Sequence, residues 1–334
     1  HDSSRRACPR CVSRKGRKRV KGEKRKEKRV KKGWSRDDME LSLLAAPCTI
    51  WYLLFAFLPM FGIIIAFKDF KINGNFINSI LTSKWVGFEN FTFLFTSNDA
   101  WIVLRNTLGY NVIFIILGIV VPVALALMVS QLHGKRLGKM YQTAMFMPYF
   151  LSWVVVSAVV WGFLSYDKGL ANQLVEGMGG DRVNWYMQKQ YWPYFLIFMN
   201  LWKGLGYGMV VYLAAITGID TSFYEAAVID GATKWQQMRY ITLPVMKTVI
   251  VMMFIMSVGR IFYSDFGLFY QVPRDSNSLF SVTYTIDVMV YKSLKSATVG
   301  MASAAAFFQS VMGCITILAA NAVVRKIDPE SAMI

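Results

Sequence analysis

The chain has 334 residues, 55% of them hydrophobic, 15% aromatic and only 17% charged, with a formal net charge of +17. That balance argues against a soluble enzyme of this length and points to a membrane protein. Neither a disulfide framework nor a metal centre fits the four cysteines and two histidines: Cys8 and Cys11 give half a zinc-knuckle spacing without a second pair, Cys48 and Cys314 sit in apolar runs, and His1 and His133 stand alone in basic segments.

In chain order, residues 1–36 come first and carry 17 of the 37 Lys and Arg side chains. Taken alone, the run from Arg14 to Lys32 suggests nucleic-acid binding. Directly before an apolar span it reads better as a cytoplasmic anchor drawn to anionic head groups, with no nucleic-acid partner. The chain starts at His1 rather than Met, so this tail is given no functional weight. The remainder, 37–334, reads as one transmembrane domain.

A membrane helix needs about 20 mainly apolar residues. Windows of that kind fall at Leu41 to Phe67, Asn106 to Ser130, Tyr141 to Leu164, Pro193 to Thr217, Met246 to Phe269 and Val299 to Val324. The fold class expected is therefore all-α, a polytopic membrane protein of about six transmembrane helices. The tail, the loop from His133 to Lys139, the stretch around Tyr224 and the pair Arg325-Lys326 hold the short-loop cations, which puts them and both termini in the cytoplasm. Trp85, Trp101, Trp185 and Trp192 gather where spans meet the opposite loops, as interfacial rings do, and Trp85 to Phe91 reads as a short amphipathic piece on the outer face.

Between the fourth and fifth spans, 218–245 is polar. Ser222 and Glu225 have the spacing of a capping box, Gly231 suits a helix end, Thr233 and Gln236 repeat the capping spacing, and Pro244 closes the second helix or opens the next span. Two short helices joined by a glycine turn follow from this, with Tyr224 and Val228 on one face and the small Ala226 and Ala227 open to another protein.

Glu225-Ala226-Ala227, Asp230-Gly231-Ala232 and Ile241-Thr242-Leu243-Pro244 together resemble the signature loop of permease subunits in bacterial ATP-binding-cassette (ABC) importers. The likeness extends from about Leu41 to Ala322 and is to the branch that imports oligosaccharides and polysaccharide fragments: Arg105-Asn106-Thr107, Pro148 to Trp153, Trp202 to Gly206 and Tyr212 to Asp220 carry it. Met238 stands where that family often has an aromatic residue. The resemblance implies the type I importer permease fold and a first short helix, Tyr224 to Val228 with Asp230, Gly231 and Ala232, that couples to an ATPase. It implies a second homologous permease, two ABC ATPase subunits, an extracytoplasmic sugar-binding protein and a bacterial inner membrane. It also implies that this subunit is not an enzyme and holds no cofactor, ATP and Mg being bound by the partners; the chain has no G-x-x-x-x-G-K-[ST] of its own.

Lys203 and Arg260 fall near the middle of the fourth and fifth windows, where a lone cation is expensive and needs a partner, a cavity or water. One expectation is a structural pair, Arg260 with Asp265 or across helices. The other is that both cations line the passage with Asn200, Tyr207, Tyr263, Asp265 and Gln309, favouring an acidic, alginate-like oligosaccharide. Gly204, Gly206 and Gly208 read as close helix packing rather than a phosphate cradle. The competing class, an ion-gradient-driven secondary transporter or channel, would need intramembrane carboxylates or histidines, and little but Asp265 is on offer.

Overall fold

The computed structural model describes residues 36–132, 134–296 and 298–329. The basic tail up to Ser35, and His133, lie outside them. Residues up to Phe57 form one unit and those from Leu58 another. In the first, helix α1 (Arg36–Tyr52) carries Pro47 inside it and passes into a π turn, Leu53–Phe57, where Trp51 and Phe55 rings lie 4.2 Å apart. Its apolar side chains, Leu44 and Trp51 among them, are exposed.

The second unit opens with 3-10 turns, Leu58–Phe67, and a two-residue antiparallel ladder of β1 (Lys68–Asp69) with β2 (Lys84–Trp85) around α2 (Phe76–Thr82). The expected amphipathic piece Trp85 to Phe91 is thus strand only at Trp85 and turn at 87–88, and α3 (Glu89–Thr96) begins within it. Ser97 caps α4 (Asn98–Ser130) by accepting from the Ala100 N–H, and the apolar run then continues for the length of a span. After α5 (Lys135–Phe146), Pro148 and the extended Leu151 and Ser152 interrupt the helix, and α6 (Trp153–Leu164) restarts on a Ser152 cap. The single third span expected is therefore a pair of helices bent by 96°. On the far side lies α7 (Leu170–Gly177), followed by α8 (Trp192–Thr217).

Two short helices, α9 (Thr221–Ile229) and α10 (Lys234–Gln237), lead through a π turn, Met238–Thr242, into α11 (Leu243–Gly259). Pro244 does not end a helix: it sits in the first turn of α11, after a π turn whose bonds already run one residue further back than α bonds. Helix α11 stops at Gly259, ten residues short of the expected end at Phe269, and a π turn, Gly267–Gln271, follows. Helices α12 (Phe280–Thr283) and α13 (Ile286–Lys295) precede the final α14 (Val299–Ile327). Among the described residues, Arg36–Phe67, Asp99–Ser130, Trp192–Thr217, Lys234–Gly259 and Val299–Ile327 are long and apolar enough to span a membrane, and the bent pair makes a sixth if counted as one.

The core sits where α4, α8 and α11 meet, around Ala126, Met209, Tyr212, Leu213 and Met246. A second cluster joins α6 and α8 to the turn beyond α11, through Val156, Leu196, Met199, Leu268 and Val272. The glycines of α8 allow this closeness. A Cβ on Gly206 would lie 2.1 Å from the Met145 carbonyl oxygen, and one on Gly208 would lie 3.0 Å from the Pro122 ring, whereas Gly204 has open space. With lipid as solvent, such approach is a main source of helix adhesion.

Gly206→Val should therefore lower the thermal stability of the purified protein by about 1–3 kcal/mol through overpacking, while Gly204→Val is tolerated. Equal melting temperatures for the two variants would contradict this packing.

Candidate functional site

The loop between α8 and α11 is built by its caps. Asp220 Oδ1 accepts from the Ser222 N–H at 2.9 Å and starts α9 one residue before Ser222, so the expected Ser222–Glu225 box does not form and Glu225 stays exposed. An aspartate that can accept at the N-cap begins the helix earlier than a serine two residues on. At the other end Gly231 has φ 76°; its N–H donates to the Val228 carbonyl and the Ala232 N–H to the Ala227 carbonyl, which is the Schellman closure. The second box is present as expected: the Thr233 N–H donates to Gln236 Oε1 at 2.7 Å and the Gln236 N–H to Thr233 Oγ1 at 3.3 Å.

Two side chains tie the loop to the span below. Buried Gln237 donates to the Ala232 carbonyl at 3.1 Å, and the hydroxyls of Tyr224 and Thr242 lie 2.9 Å apart. Tyr224 is thus turned inward, away from the exposed Val228 with which helical spacing pairs it. The outward side carries four large apolar side chains among its polar ones: Ile229 is 86% exposed, Trp235 67%, Phe223 59% and Val228 58%. Phe223, Ile229 and Trp235 were not legible as site residues from caps and small side chains; the available signal was three large apolar groups in an otherwise polar loop.

The expected passage residues separate into two groups. Asn200, Arg260, Tyr263 and Asp265 line one open cleft of about 510 Å³, joined by Asn111, Phe114 and Ser257. Among the described residues Arg260 makes no ion pair, so the expected Arg260–Asp265 pair is not formed. Asp265 is engaged otherwise: Oδ2 accepts from Trp153 Nε1 at 2.7 Å, and Oδ1 accepts from the Gly267 N–H at 2.9 Å, capping the π turn. Arg260 follows the last residue of α11 rather than lying within a span.

Lys203, Tyr207 and Gln309 are placed elsewhere. Lys203 Nζ donates to the carbonyls of Tyr149 at 2.9 Å and Leu151 at 2.5 Å, inside the 96° bend, with its charge 5.3 Å from the Trp153 ring. Tyr207 stacks on Tyr149 at 5.1 Å. Gln309 is buried and donates to the Phe262 carbonyl at 2.8 Å and to Asp287 at 3.2 Å. Asn111, which the sequence left unmarked, donates to the carbonyls of Ile261 and Tyr263 at 2.8 and 2.9 Å and so shapes the cleft.

Residues 118–329 match the model of the binding-protein-dependent transport system inner membrane component family. The chain is 34% identical to the polygalacturonan/rhamnogalacturonan transport system permease protein YteP of Bacillus subtilis, over 87% of this chain and 89% of that one. Its fold resembles that of a bacterial ABC transporter involved in the import of the acidic polysaccharide alginate, with TM-score 0.78 and 31% identity over 88% of this chain and 97% of the other. A second structure, of a bacterial alginate ABC transporter in complex with an alginate pentasaccharide-bound periplasmic protein, gives TM-score 0.77 and 31% identity over 87% and 96% of the two chains. The chain belongs to the binding-protein-dependent family of transport-system inner-membrane components and is a multi-pass permease subunit of an ABC importer.

The Asp220 cap has a pH signature. Its hydrogen bonds from Ser222 hold the carboxyl below the ordinary aspartate value. A depressed folded pKa means that the contribution to helix α9 is complete above the ordinary value and is lost as pH falls through the lowered one. Hydrogen exchange at Ser222 and Phe223, corrected for intrinsic rate, should show wild type losing protection below about pH 4, with Asp220→Asn independent of pH over that range. Parallel profiles for the two proteins would refute the cap.

Proposed function

We propose that this subunit forms half of the translocation pathway of an ATP-driven oligosaccharide importer, paired with a second homologous permease. On this reading two ABC ATPase subunits grip α9 and α10 from the cytoplasm, and an extracytoplasmic sugar-binding protein delivers substrate from the other side. The termini are then cytoplasmic, and ATP and Mg stay on the partner subunits.

The observation that carries the reading is the combination of an exposed apolar face and a stiff connection. A solvated loop would not present Ile229 and Trp235 to water, and a docking knob would. The Schellman closure, Gln237 and the Tyr224–Thr242 contact make the knob one body with the start of α11. ATP-driven closure of the partners then biases a two-state bundle through this body, because its docked contacts differ between the two states.

The substrate proposed is an acidic oligosaccharide. Arg260, free of ion pairs among the described residues, faces the cleft beside Asn111, Asn200 and Tyr263, which supply hydrogen bonds and a ring face. The alginate transporter with this fold is involved in the import of an acidic polysaccharide, which agrees with a cation at this place.

Glu225→Lys and Gly231→Pro should each lower recovery of the ATPase with the permease about tenfold, the scale of a 1.4 kcal/mol interface loss, while membrane insertion is retained. Tyr224→Phe should keep the ATPase bound but lower sugar imported per ATP. Undiminished co-purification in the first two variants would remove the docking assignment.

Arg260→Met should erase any preference for acidic over neutral oligosaccharides in vesicles, whereas Lys203→Met should lower thermal stability through the uncapped bend. Selectivity lost in Lys203→Met and kept in Arg260→Met would reverse these roles.

A further inference from the structure

Beyond Arg260 the chain carries a second cation toward the outer loop. Arg274 and Asp275 both have positive φ, 55° and 52°, which side chains bearing a Cβ adopt rarely. The preceding Val272 and Pro273 are buried, so the turn sets Arg274 and Asp275 on the surface. There they form one wall of an open cleft of about 390 Å³, with Tyr270 and Gln271, and Val154, Ser157 and Ala158 of α6 form the other. No residue is shared with the lining of the Arg260 cleft.

The charges in this cleft are not equally occupied. Asp275 pairs with Lys292 at 2.5 Å. Arg274 makes no ion pair among the described residues, and its guanidinium lies 4.3 Å from the Trp161 ring centre. A guanidinium held by its face keeps its N–H edge for a planar acceptor, and a carboxylate matches that fork. The Arg274 charge is felt nearby: burial pushes the Tyr186 phenol up to about 12, and Arg274 works against that shift. Tyr186 packs on Trp161 at 5.2 Å, and its buried hydroxyl has no hydrogen-bond partner among the described residues.

Aromatic rings alternate with these cations. Tyr270 stacks on Phe266 at 4.9 Å, and the Lys295 ammonium lies 5.0 Å from the Tyr291 ring centre and 3.4 Å from the Tyr270 hydroxyl. A pyranose ring offers an apolar face to such a ring and a uronate adds one carboxylate, so cation and ring side by side suit an acidic sugar better than a neutral one. We propose that this cleft is a second, outer subsite for an acidic sugar residue, with Arg274 holding the carboxylate and Tyr270 the ring face before the chain reaches Arg260. The proposal rests on the acidic-oligosaccharide reading above.

The test uses the assembled importer in proteoliposomes, with a uronate tetrasaccharide and its carboxyl-reduced neutral counterpart as probes. The readout is the ratio of the two KM values, acidic over neutral. Arg274→Gln should raise that ratio about tenfold, the loss of one charge-assisted contact, and Arg274→Lys should fall between it and wild type. Arg274→Gly, suited to the positive φ, replaces the glutamine variant if that one fails to fold. A wild-type preference that survives both substitutions overturns the subsite alone. A wild type with no acid preference overturns the acidic-substrate reading and the subsite with it. An effect of Arg274→Gln seen only in vesicles containing phosphatidylglycerol assigns the cation to a lipid head group and also overturns the proposal.

Discussion

A carbonyl without a partner inside a bilayer costs several kcal/mol, and this fold interrupts its apolar helical stretches in more than one place. Its polar side chains are spent on meeting that cost. At the bend between α5 and α6, Lys203 donates to the freed Tyr149 and Leu151 carbonyls. Past the end of α11, Asn111 serves Ile261 and Tyr263, and Gln309 serves Phe262. At the turn leading into α13, Asn106 donates to the Ser281 and Tyr284 carbonyls, while Thr107 Oγ1 accepts from the Ile286 N–H. Polar groups within the spans are therefore first a scaffold for non-helical backbone, and only the remainder is free for a solute.

That division explains where the cleft is. Stopping α11 at Gly259 leaves Arg260 and Tyr263 on irregular backbone, with Asn111 and Asp265 fixing the chain on either side. Irregular backbone in a membrane is tolerated where it is enclosed by protein or borders a polar cavity, and here it does both. Asp265 illustrates the economy of the arrangement: one carboxylate caps the following turn and accepts from Trp153, while Gly267 leaves room for that indole, since a Cβ there would lie 2.1 Å from the ring.

How far the sequence revealed this depended on whether a signal was local. Hydropathy marked the spans, because apolar length is a property of a segment alone, and it failed at the third and fifth, where Pro148 and the turn after Gly259 break an apolar run without making it less apolar. Gly231 and the Thr233–Gln236 box were legible because caps reach only a few residues. Ser222 was misread because Asp220 competes for the same helix start. Lys203 and Gln309 were visible as polar groups in apolar windows, but their use as donors to carbonyls 52 and 47 residues distant in sequence depends on tertiary packing that no spacing encodes. Arg105-Asn106-Thr107 was visible as a motif, and its work of holding a turn some 175 residues on was not.

The same packing says what movement of the polar loop would do. Helix α9 is joined to α8 through the three residues 218–220 and to α11 through the turn at Gly231, with the Tyr224–Thr242 contact bracing the second connection. From Leu243 to Gly259, α11 runs 17 residues, about 25 Å at 1.5 Å per residue, and Arg260 follows its far end. Helix α8 carries Asn200 on the facing wall and Lys203 in the bend. Under the coupling proposed above, a displacement of α9 is shared between two helices that border one cleft, the braced one taking the larger part. Tilting α11 relative to α8 changes the distance between Arg260 and Asn200 without breaking the caps that each helix carries with it. Under the same coupling, a partner that prefers one position of α9 by a few kcal/mol is sufficient to bias the width of this cleft.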